Sequence, residues 1–436
     1  MNARIPMRDS EAFREEKLRI GGERIARDRT LDVRNPYTRE RVGTVPLATL
    51  EDVRRAYEIA RGFRSQLTRY ERSAILQKAS ALLRARTEEA SDLITSESGL
   101  CKKDSLYEIG RVADVLVFGA NEALRDDGQV FSCDLTPHGK KRKVITLREP
   151  LQGVITAITP FNHPMNQVAH KVVPAVATNN RMVLKPSEKV PLSAYFLADI
   201  LYEAGLPPEM LQVVTGDPRE IADEMLTNPN VDLITFTGGV PIGKYIAHKA
   251  GYRRIVLELG GNDPLIVMED ADLDKASDLA VQGSYKNSGQ RCTAVKRMLV
   301  QESVAARFTE LVVEKTRAWK HGDPMDRAMD MGTVIDETAA RQFQALVDEA
   351  VSQGARLLTG NVRDGALYSP TVLDRVTPGM TVAREETFGP VSPILTFHDI
   401  DDAIRISNGT AYGLSSGVCT NRMDWATKFA QELAVG

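Results

Sequence analysis

From Gln152 onwards, short runs rich in valine and isoleucine alternate with longer segments of helical composition, and glycine or proline separates them. Apolar runs of this length that are bounded by turn residues are typical of buried strands. Strands are predicted at 153–158, 181–185, 211–214, 233–236 and 255–259, and helices at 166–179 and 192–203. A chain that alternates in this way is constrained to form a parallel sheet with helices on both faces.

A second series of the same kind follows residue 260, with strands predicted at 265–267, 298–300 and 393–396 and helices at 304–319, 339–352 and 400–407. Upstream of the first strand, helices are predicted at 50–61, 69–98 and 105–126. Residues 131–148 contain a basic run at 140–143 and predict a solvated hairpin arm. Four charges without interleaved aromatic residues are weak grounds for a nucleic-acid patch.

Charge and cysteine usage argue against several classes of protein. The net charge of −3 gives no field that would recruit nucleic acid or a membrane, and no uncharged apolar run reaches the ~20 residues that span a bilayer. Residues 1–16 are polar and lack the apolar core of a signal peptide. The cysteines, Cys101, Cys133, Cys292 and Cys419, form no CxxC pair, which argues against a disulfide framework or a zinc site. We therefore expect a cytoplasmic protein that binds no metal.

The segment 287–294, Asn-Ser-Gly-Gln-Arg-Cys-Thr-Ala, carries the sharpest chemical signal. Cys292 follows a glycine-containing turn and comes directly after Arg291, whose charge is expected to favour the nucleophilic thiolate. A single cysteine is more often a small buried apolar residue, and this interpretation is preferred for the other three. For Cys292 the polar, glycine-bearing surroundings favour a nucleophile.

Glu258 interrupts the apolar run 255–259 just before a pair of glycines. If this carboxylate is buried, its pKa would rise toward neutrality, which suits a general base. An ion pair with Arg253 or Arg254 explains the residue equally well.

Two further segments carry weaker signals. Asn162, in Thr-Pro-Phe-Asn-His-Pro at the end of a predicted strand, has a side-chain amide that can donate to an oxyanion, although asparagine and proline also suit turns. Gly238 and Gly239 lie between a strand and a helix, where bare backbone N–H groups can approach a phosphate. They do not form the G-x-G-x-x-G fingerprint.

Six motifs, in order along the chain, resemble the aldehyde dehydrogenase superfamily from about residue 20 to the end. They are Pro-Phe-Asn at 160–162, Lys-Pro-Ser-Glu at 185–188, Phe-Thr-Gly at 236–238, Leu-Glu-Leu-Gly-Gly at 257–261, Gly-Gln-Arg-Cys at 289–292 and Glu-Thr-Phe-Gly-Pro at 386–390. The resemblance implies an α/β fold with two Rossmann-like parallel-sheet domains and a small β oligomerisation arm. It assigns 1–130 and 149–259 to an NAD-binding domain, 131–148 to the arm and 260–436 to a catalytic domain.

The same resemblance implies that Cys292 attacks an aldehyde, that its backbone N–H and the Asn162 amide hold the oxyanion, and that hydride transfer leaves a thioester. Glu258 would activate the water that releases the carboxylate, which favours hydrolysis over acyl transfer to coenzyme A. A relative that kept only the scaffold would need none of these three residues.

For the cofactor, Lys185 and Glu188 match the family pair that contacts the adenosine ribose. A carboxylate at this place repels a 2′-phosphate, so NAD is expected rather than NADP. Glu386 matches the residue that binds the nicotinamide ribose, and Phe388 packs beside it. Many relatives carry a serine that touches the pyrophosphate at the position of Gly239.

The segment 288–297 resembles the non-phosphorylating glyceraldehyde-3-phosphate dehydrogenase branch, in which arginines at the positions of Arg291 and Arg111 bind the substrate phosphate. Two guanidinium groups near the nucleophile fit a phosphate or phosphonate dianion, and His163 is a third candidate donor. Structural salt bridges for the arginines and a structural role for His163 are the alternatives.

Phosphonoacetaldehyde dehydrogenases share the histidine after the catalytic asparagine, and Glu188 points to NAD. We therefore expect phosphonoacetaldehyde as the substrate, with glyceraldehyde 3-phosphate, lactaldehyde and glycolaldehyde as alternatives. The chain ends at Gly436, before the family's C-terminal segment that helps to join subunits, so the partner of the arm is expected to be absent from this sequence. The arm itself resembles the family's bridging hairpin, and a homodimer or homotetramer is expected.

Overall fold

The computed structural model describes residues 13–126 and 128–436. Residues 1–12, most of the N-terminal stretch in which no signal peptide is predicted, lie outside the described residues. Within the described part of the chain, no helix is long and apolar enough to cross a membrane.

The strands, in chain order, are β1 (Arg14–Glu15), β2 (Leu18–Ile20), β3 (Glu23–Ile25), β4 (Thr30–Arg34), β5 (Arg41–Pro46), β6 (Gln129–Ser132), β7 (Lys143–Thr146), β8 (Val154–Ile158), β9 (Met182–Lys185), β10 (Leu211–Val213), β11 (Val231–Thr237), β12 (Arg254–Glu258), β13 (Pro264–Val267), β14 (Arg297–Gln301), β15 (Arg356–Thr359), β16 (Arg363–Asp364), β17 (Leu367–Tyr368), β18 (Thr371–Asp374), β19 (Val391–Phe397) and β20 (Gly417–Cys419).

The helices are α1 (Leu50–Gly62), α2 (Arg69–Ala85), α3 (Thr87–Ser98), α4 (Lys102–Ala123), α5 (Asn166–Ala177), α6 (Leu192–Ala204), α7 (Pro218–Thr227), α8 (Val240–Lys249), α9 (Leu273–Tyr285), α10 (Glu302–Ala318), α11 (Glu337–Ser352), α12 (Thr381–Arg384), α13 (Ile400–Asn408) and α14 (Met423–Glu432), with short 3-10 turns at Pro208–Met210 and Lys286–Gly289.

The first sheet has the strand order β12-β11-β8-β9-β10-β2-β3, and its strands from β12 to β10 are parallel. Successive residues of a strand point to opposite faces. Val154 accordingly joins the core packed with α1, α7 and α8, whereas Ile155 joins the core packed with α2, α4, α5 and α6. Burial on both faces explains why β8 and β9 are continuous apolar runs rather than alternating ones.

The second sheet has the order β15-β18-β19-β14-β13-β20, and all its pairs are parallel except β15 with β18. Its faces are covered by α9 and α10 on one side and by α11 and α13 on the other. The two sheets, together with the β6–β7 hairpin, confirm the predicted α/β class with two Rossmann-like units and a small β arm.

Several details differ from the sequence prediction. The predicted helix 69–98 is two helices that meet at Arg86, where the Thr87 hydroxyl donates to the Arg84 carbonyl at 2.8 Å and so competes with the helical backbone bonds. The first sheet is mixed, because the short N-terminal strands β2 and β3 add to it antiparallel. The arm exposes Val130, Ile145 and Leu147. Its role in joining subunits, like the domain boundaries, stays a prediction.

Candidate active site

Strands β8, β9, β11 and β12 end at one edge of the first sheet. Ile158, the last residue of β8, is in register with Lys185 of β9 and with Phe236 of β11. Thr237, the next residue of β11, is in register with Glu258 of β12. Ligands of open α/β sheets bind outside the carboxyl ends of the strands, so the loops that leave this edge form the candidate site.

The turn that carries Cys292 has an uncommon backbone. Asn287, Ser288 and Gly289 all have positive φ, of 60°, 54° and 70°, which residues with a side chain rarely adopt. Such strain persists only where the surroundings hold it, and it is frequent at active sites. Here the Gln290 side-chain oxygen accepts a hydrogen bond from the Ile335 N–H at 2.8 Å, which ties the turn to the loop before α11.

The segment 386–390 is fixed against this turn and against the loop after β8. The Lys296 ammonium donates to the carbonyl oxygens of Gly289, at 3.1 Å, and Thr387, at 2.8 Å. The same ammonium lies 4.7 Å from the centroid of the Phe388 ring. The Phe388 ring in turn meets Phe161 edge to face, with the centroids 5.8 Å apart. Phe388 therefore lies where the two units meet.

The loop after β12 reaches the nucleophile as well. A Cβ at Gly261 would stand 2.7 Å from the Cys292 carbonyl oxygen, so only a glycine permits this approach. The Gly261 N–H donates to the Glu386 carboxylate at 3.1 Å. A Cβ at Gly260 would collide with the same carboxylate. Close packing of these two glycines brings the segments that carry Glu258, Cys292 and Glu386 together.

Burial and the neighbouring charges act in opposite directions on the thiol of Cys292. Burial raises the pKa of Cys292, against the lowering effects of the Thr293 N–H and the Lys296 charge. Burial lowers the pKa of Arg291, and attraction to the Asp104 and Cys292 charges opposes this shift. The Arg291 charge therefore acts in favour of the thiolate, as predicted, whereas burial of the thiol acts in the opposite direction and leaves the pKa of Cys292 raised.

Glu258 is exposed at the end of β12. The premise that this carboxylate is buried is therefore wrong. The Glu258 carboxylate attracts the ammonium of Lys171, which is buried in α5. This ammonium donates to the hydroxyls of Thr235 at 3.0 Å and Thr237 at 2.9 Å. Burial lowers the pKa of Lys171 to about 8, and Glu258 opposes this shift.

Neither candidate substrate arginine is held in a salt bridge with a carboxylate of the described residues. Arg291 donates to the Gly283 carbonyl at 2.6 Å, and its Nε is buried without a hydrogen-bond partner among those residues. Arg111 is exposed on α4. Burial lowers the pKa of the nearby His170, and the charges of Arg111, Lys171 and His163 lower it further. The alternative of structural salt bridges for the two arginines is thus wrong for the described part of the chain.

Two acidic residues stand behind these cations on α4. Asp104 accepts a hydrogen bond from the Asn287 N–H at 2.8 Å, and burial raises its pKa against the opposing charges of His163 and Arg291. Glu108 is buried, and its Oε2 lies 3.8 Å from His163 Nδ1. The other oxygen of Glu108 accepts from the backbone at the start of α5, at 2.8 and 2.9 Å.

Sequence reasoning missed these two acids and also Asn287, Lys171 and Lys296. The available signal was spacing, because residues 104, 108 and 111 recur at i, i+4 and i+7 and therefore share one face of a helix. A lysine within an apolar run was the corresponding signal for Lys171.

The residues expected to hold a dinucleotide lie along the same edge. Lys185 is buried, and its ammonium donates to the Glu188 carboxylate. Gly239 is the N-cap of α8 and supplies no side-chain cap, so the first-turn N–H groups are accessible to a phosphate. Within residues 13–126 and 128–436, no group of three His, Cys, Asp or Glu side chains is arranged to hold a metal ion.

Comparison with known proteins gives one consistent result. The sequence model of the Aldehyde dehydrogenase family matches residues 24–436. A 3-sulfolactaldehyde dehydrogenase of Priestia aryabhattai is 40% identical over 420 residues, which cover 96% of this chain and 88% of that protein. A sulfoacetaldehyde dehydrogenase of Neptuniibacter caesariensis is 37% identical over 411 residues, covering 93% of this chain and 90% of that protein.

Among solved structures, the NADP-dependent glyceraldehyde-3-phosphate dehydrogenase from Bacillus halodurans C-125, complexed with NADP, superposes with a TM-score of 0.93. It is 39% identical in sequence, and the match covers 97% of this chain and 90% of that one.

Proposed function

The chain belongs to the aldehyde dehydrogenase family, a family of enzymes that use a nicotinamide cofactor, and from this premise we propose that it oxidises phosphonoacetaldehyde to phosphonoacetate with NAD. The observation that carries the choice of an anionic aldehyde is the pair of arginines, Arg291 and Arg111, that have no carboxylate partner in the described residues. A guanidinium group that forms no salt bridge with the described residues and directly precedes the nucleophile in the sequence, as Arg291 does, is suited to a substrate anion.

The chemistry assigned to the chain's own residues has two stages. Cys292 attacks the aldehyde carbon, and the oxyanion is held by the Cys292 N–H and the Asn162 side-chain amide. The nicotinamide, when bound, accepts the hydride. Glu258 then takes a proton from the water that cleaves the thioester, so that aldehyde, NAD⁺ and water give carboxylate, NADH and two protons.

The anion of a two-carbon phosphonoaldehyde is one methylene away from the reacting carbonyl. Its binding group must therefore come from close to the nucleophile, and Arg291 is the residue directly before Cys292. His163 adds a donor from the loop that carries Asn162. Asp104 favours the charged form of Arg291, and Glu108 Oε2 lies 3.8 Å from His163 Nδ1.

Arg291→Ala should raise the KM for phosphonoacetaldehyde about 10²–10³-fold, because losing one member of a buried ion pair costs about 3–5 kcal/mol. The value of kcat/KM for uncharged lactaldehyde should stay within about threefold of the wild type. Steady-state NADH formation with both aldehydes measures the change in preference. Arg356→Ala, which removes an exposed arginine paired with Asp374 far from the turn, is the matched control. If the mutant keeps the wild-type ratio of anionic to neutral aldehyde, the phosphonate proposal is overturned.

A second candidate is a sulfonate aldehyde, because two similar relatives are a 3-sulfolactaldehyde and a sulfoacetaldehyde dehydrogenase. A sulfonate carries one negative charge, whereas a phosphonate near neutral pH approaches two. Parallel kcat/KM values for phosphonoacetaldehyde, sulfoacetaldehyde, 3-sulfolactaldehyde, glyceraldehyde 3-phosphate, lactaldehyde and glycolaldehyde separate the candidates. The highest value for any other aldehyde would replace phosphonoacetaldehyde in the proposal.

The preference for NAD rests on Glu188. Its carboxylate, bound by Lys185, would accept from the ribose hydroxyls and repel a 2′-phosphate. Glu188→Gln should weaken NAD binding and strengthen NADP binding, each by about tenfold, because a hydrogen bond to a charged group contributes about 1.5–3 kcal/mol. Fluorescence titration with both dinucleotides gives the two Kd values, and Glu58→Gln on the exposed face of α1 is the control. Equal wild-type affinity for NAD and NADP would contradict this assignment.

A further inference from the structure

Asn287 lies in the turn that leads into Cys292 and bonds to two other segments as well as within its own turn. It is 3% exposed. Its N–H donates to Asp104 of α4 at 2.8 Å, and its Nδ2 donates to the backbone oxygen of Asn162 at 2.8 Å and to that of Gln290 at 3.3 Å. One residue thus holds a helix of the first unit, the loop after β8 and the turn that leads into Cys292.

The left-handed backbone of Asn287 is part of this arrangement. With φ at 60° and ψ at 31°, the residue occupies a region that glycine adopts freely and that asparagine and aspartate tolerate better than other residues. Among these three, only asparagine carries a side-chain N–H donor. Backbone conformation and hydrogen bonding therefore select the same residue type.

We propose that Asn287 is a positioning residue that fixes the separation of the two oxyanion donors, the Asn162 side-chain amide and the Cys292 backbone N–H. This inference rests on the proposed roles of Asn162 and Cys292. The two donors come from different segments, and the bond from Asn287 Nδ2 to the Asn162 carbonyl joins those segments. Donors of this kind stabilise a developing oxyanion only when they are preorganised around the place it will occupy.

The test compares two glycine substitutions at adjacent left-handed positions. Asn287→Gly keeps a permitted backbone and removes the Nδ2 bonds. Ser288→Gly makes the same backbone change at φ 54°, and its buried hydroxyl has no hydrogen-bond partner in the described residues. Under single-turnover conditions with saturating aldehyde, we expect the NADH burst rate to fall about 10–100-fold in Asn287→Gly. It should change less than about threefold in Ser288→Gly, and KM for aldehyde and NAD should hold within about threefold in both.

A double-mutant cycle tells positioning apart from a merely structural role. If Asn287 acts through Asn162, Asn287→Gly should slow the burst less than about threefold when Asn162 is already alanine. Full additivity of the two losses would overturn the inference. Asn287→Asp, which also tolerates the left-handed backbone but has no N–H donor, should reproduce the loss if the glycine variant folds poorly. Failure of both variants to fold would make Asn287 a stability residue and also overturn it.

The two levels of the hypothesis fail differently. If the oxyanion role of Asn162 is wrong, Asn162→Ala alone leaves the burst rate unchanged. If only the positioning role is wrong, Asn162→Ala is slow by about 10²–10³-fold, whereas Asn287→Gly is as fast as Ser288→Gly.

Discussion

Cys292→Ala should abolish NADH formation with every aldehyde, a loss of about 10⁴-fold or more in kcat, because no other group is expected to form the covalent intermediate. The contacts already described bring Gly261 against this cysteine, Glu386 against Gly261, and Asn162 against Asn287 of the same turn. The variant should still bind NAD with its normal affinity, because the thiol is not one of the groups expected to hold the dinucleotide. NADH absorbance gives the first quantity and fluorescence titration gives the second.

The other cysteines are the controls for this result. Cys101 is buried, and Cys133 and Cys419 are half-buried. Each alanine variant should retain activity within about threefold, since none lies in the nucleophile turn. An active Cys292→Ala enzyme would remove Cys292 from the mechanism.

The thiol also predicts a pH dependence with a definite sign. Burial raises the pKa of Cys292, so the thiolate fraction of the free enzyme is small near neutral pH and grows as the pH rises. Alkylation of Cys292 by iodoacetamide should therefore accelerate with pH through the alkaline range, as followed by mass spectrometry of the 287–297 peptide. A plateau of the rate below neutral pH would show that the thiolate is already formed there.

The alternation of apolar runs was sufficient to predict the parallel strands, because burial on both faces leaves a continuous hydrophobic segment in the sequence. The strands β2 and β3 gave no such signal, since Leu18–Ile20 and Glu23–Ile25 are three residues each. β2 is fixed by pairing with β10 across a long separation in sequence, which local patterns do not contain, and β3 is held by pairing with β2.

The candidate site likewise contains residues that the sequence could predict and residues that it could not. Cys292 and Asn162 could be singled out because glycine and proline turns surround them in the sequence. The burial of a charge, by contrast, depends on tertiary neighbours. Glu258 sits in an apolar run and is nevertheless exposed, because β12 is the last strand of its sheet. On α4, a helix of ordinary composition, Glu108 is buried, and burial raises the pKa of Asp104. Desolvation is a property of the folded surroundings, so neither outcome was available from residue type.

The exposure of Glu258 changes how this carboxylate is expected to act as a general base. The exposed Glu258 carboxylate has direct access to water and to solvent as a proton sink. The nearby Lys171 ammonium, with its pKa lowered to about 8, is attracted to this carboxylate. Glu258 is thus suited to activate the hydrolytic water without being needed for the first chemical step.

Glu258→Gln should therefore give a burst of about one NADH per subunit, followed by turnover that is about 10²–10⁴-fold slower, because glutamine keeps the shape of the side chain but cannot accept a proton. Stopped-flow absorbance resolves the burst, and intact-mass spectrometry after an acid quench should show the acyl group on Cys292. Glu314→Gln, on the exposed face of α10, is the matched control and should turn over normally. Acyl transfer to coenzyme A is the remaining alternative. If added coenzyme A makes the wild type and the variant turn over equally fast, the thioester is cleaved by acyl transfer and not by water. A variant without a burst would instead assign Glu258 to thioester formation rather than to hydrolysis.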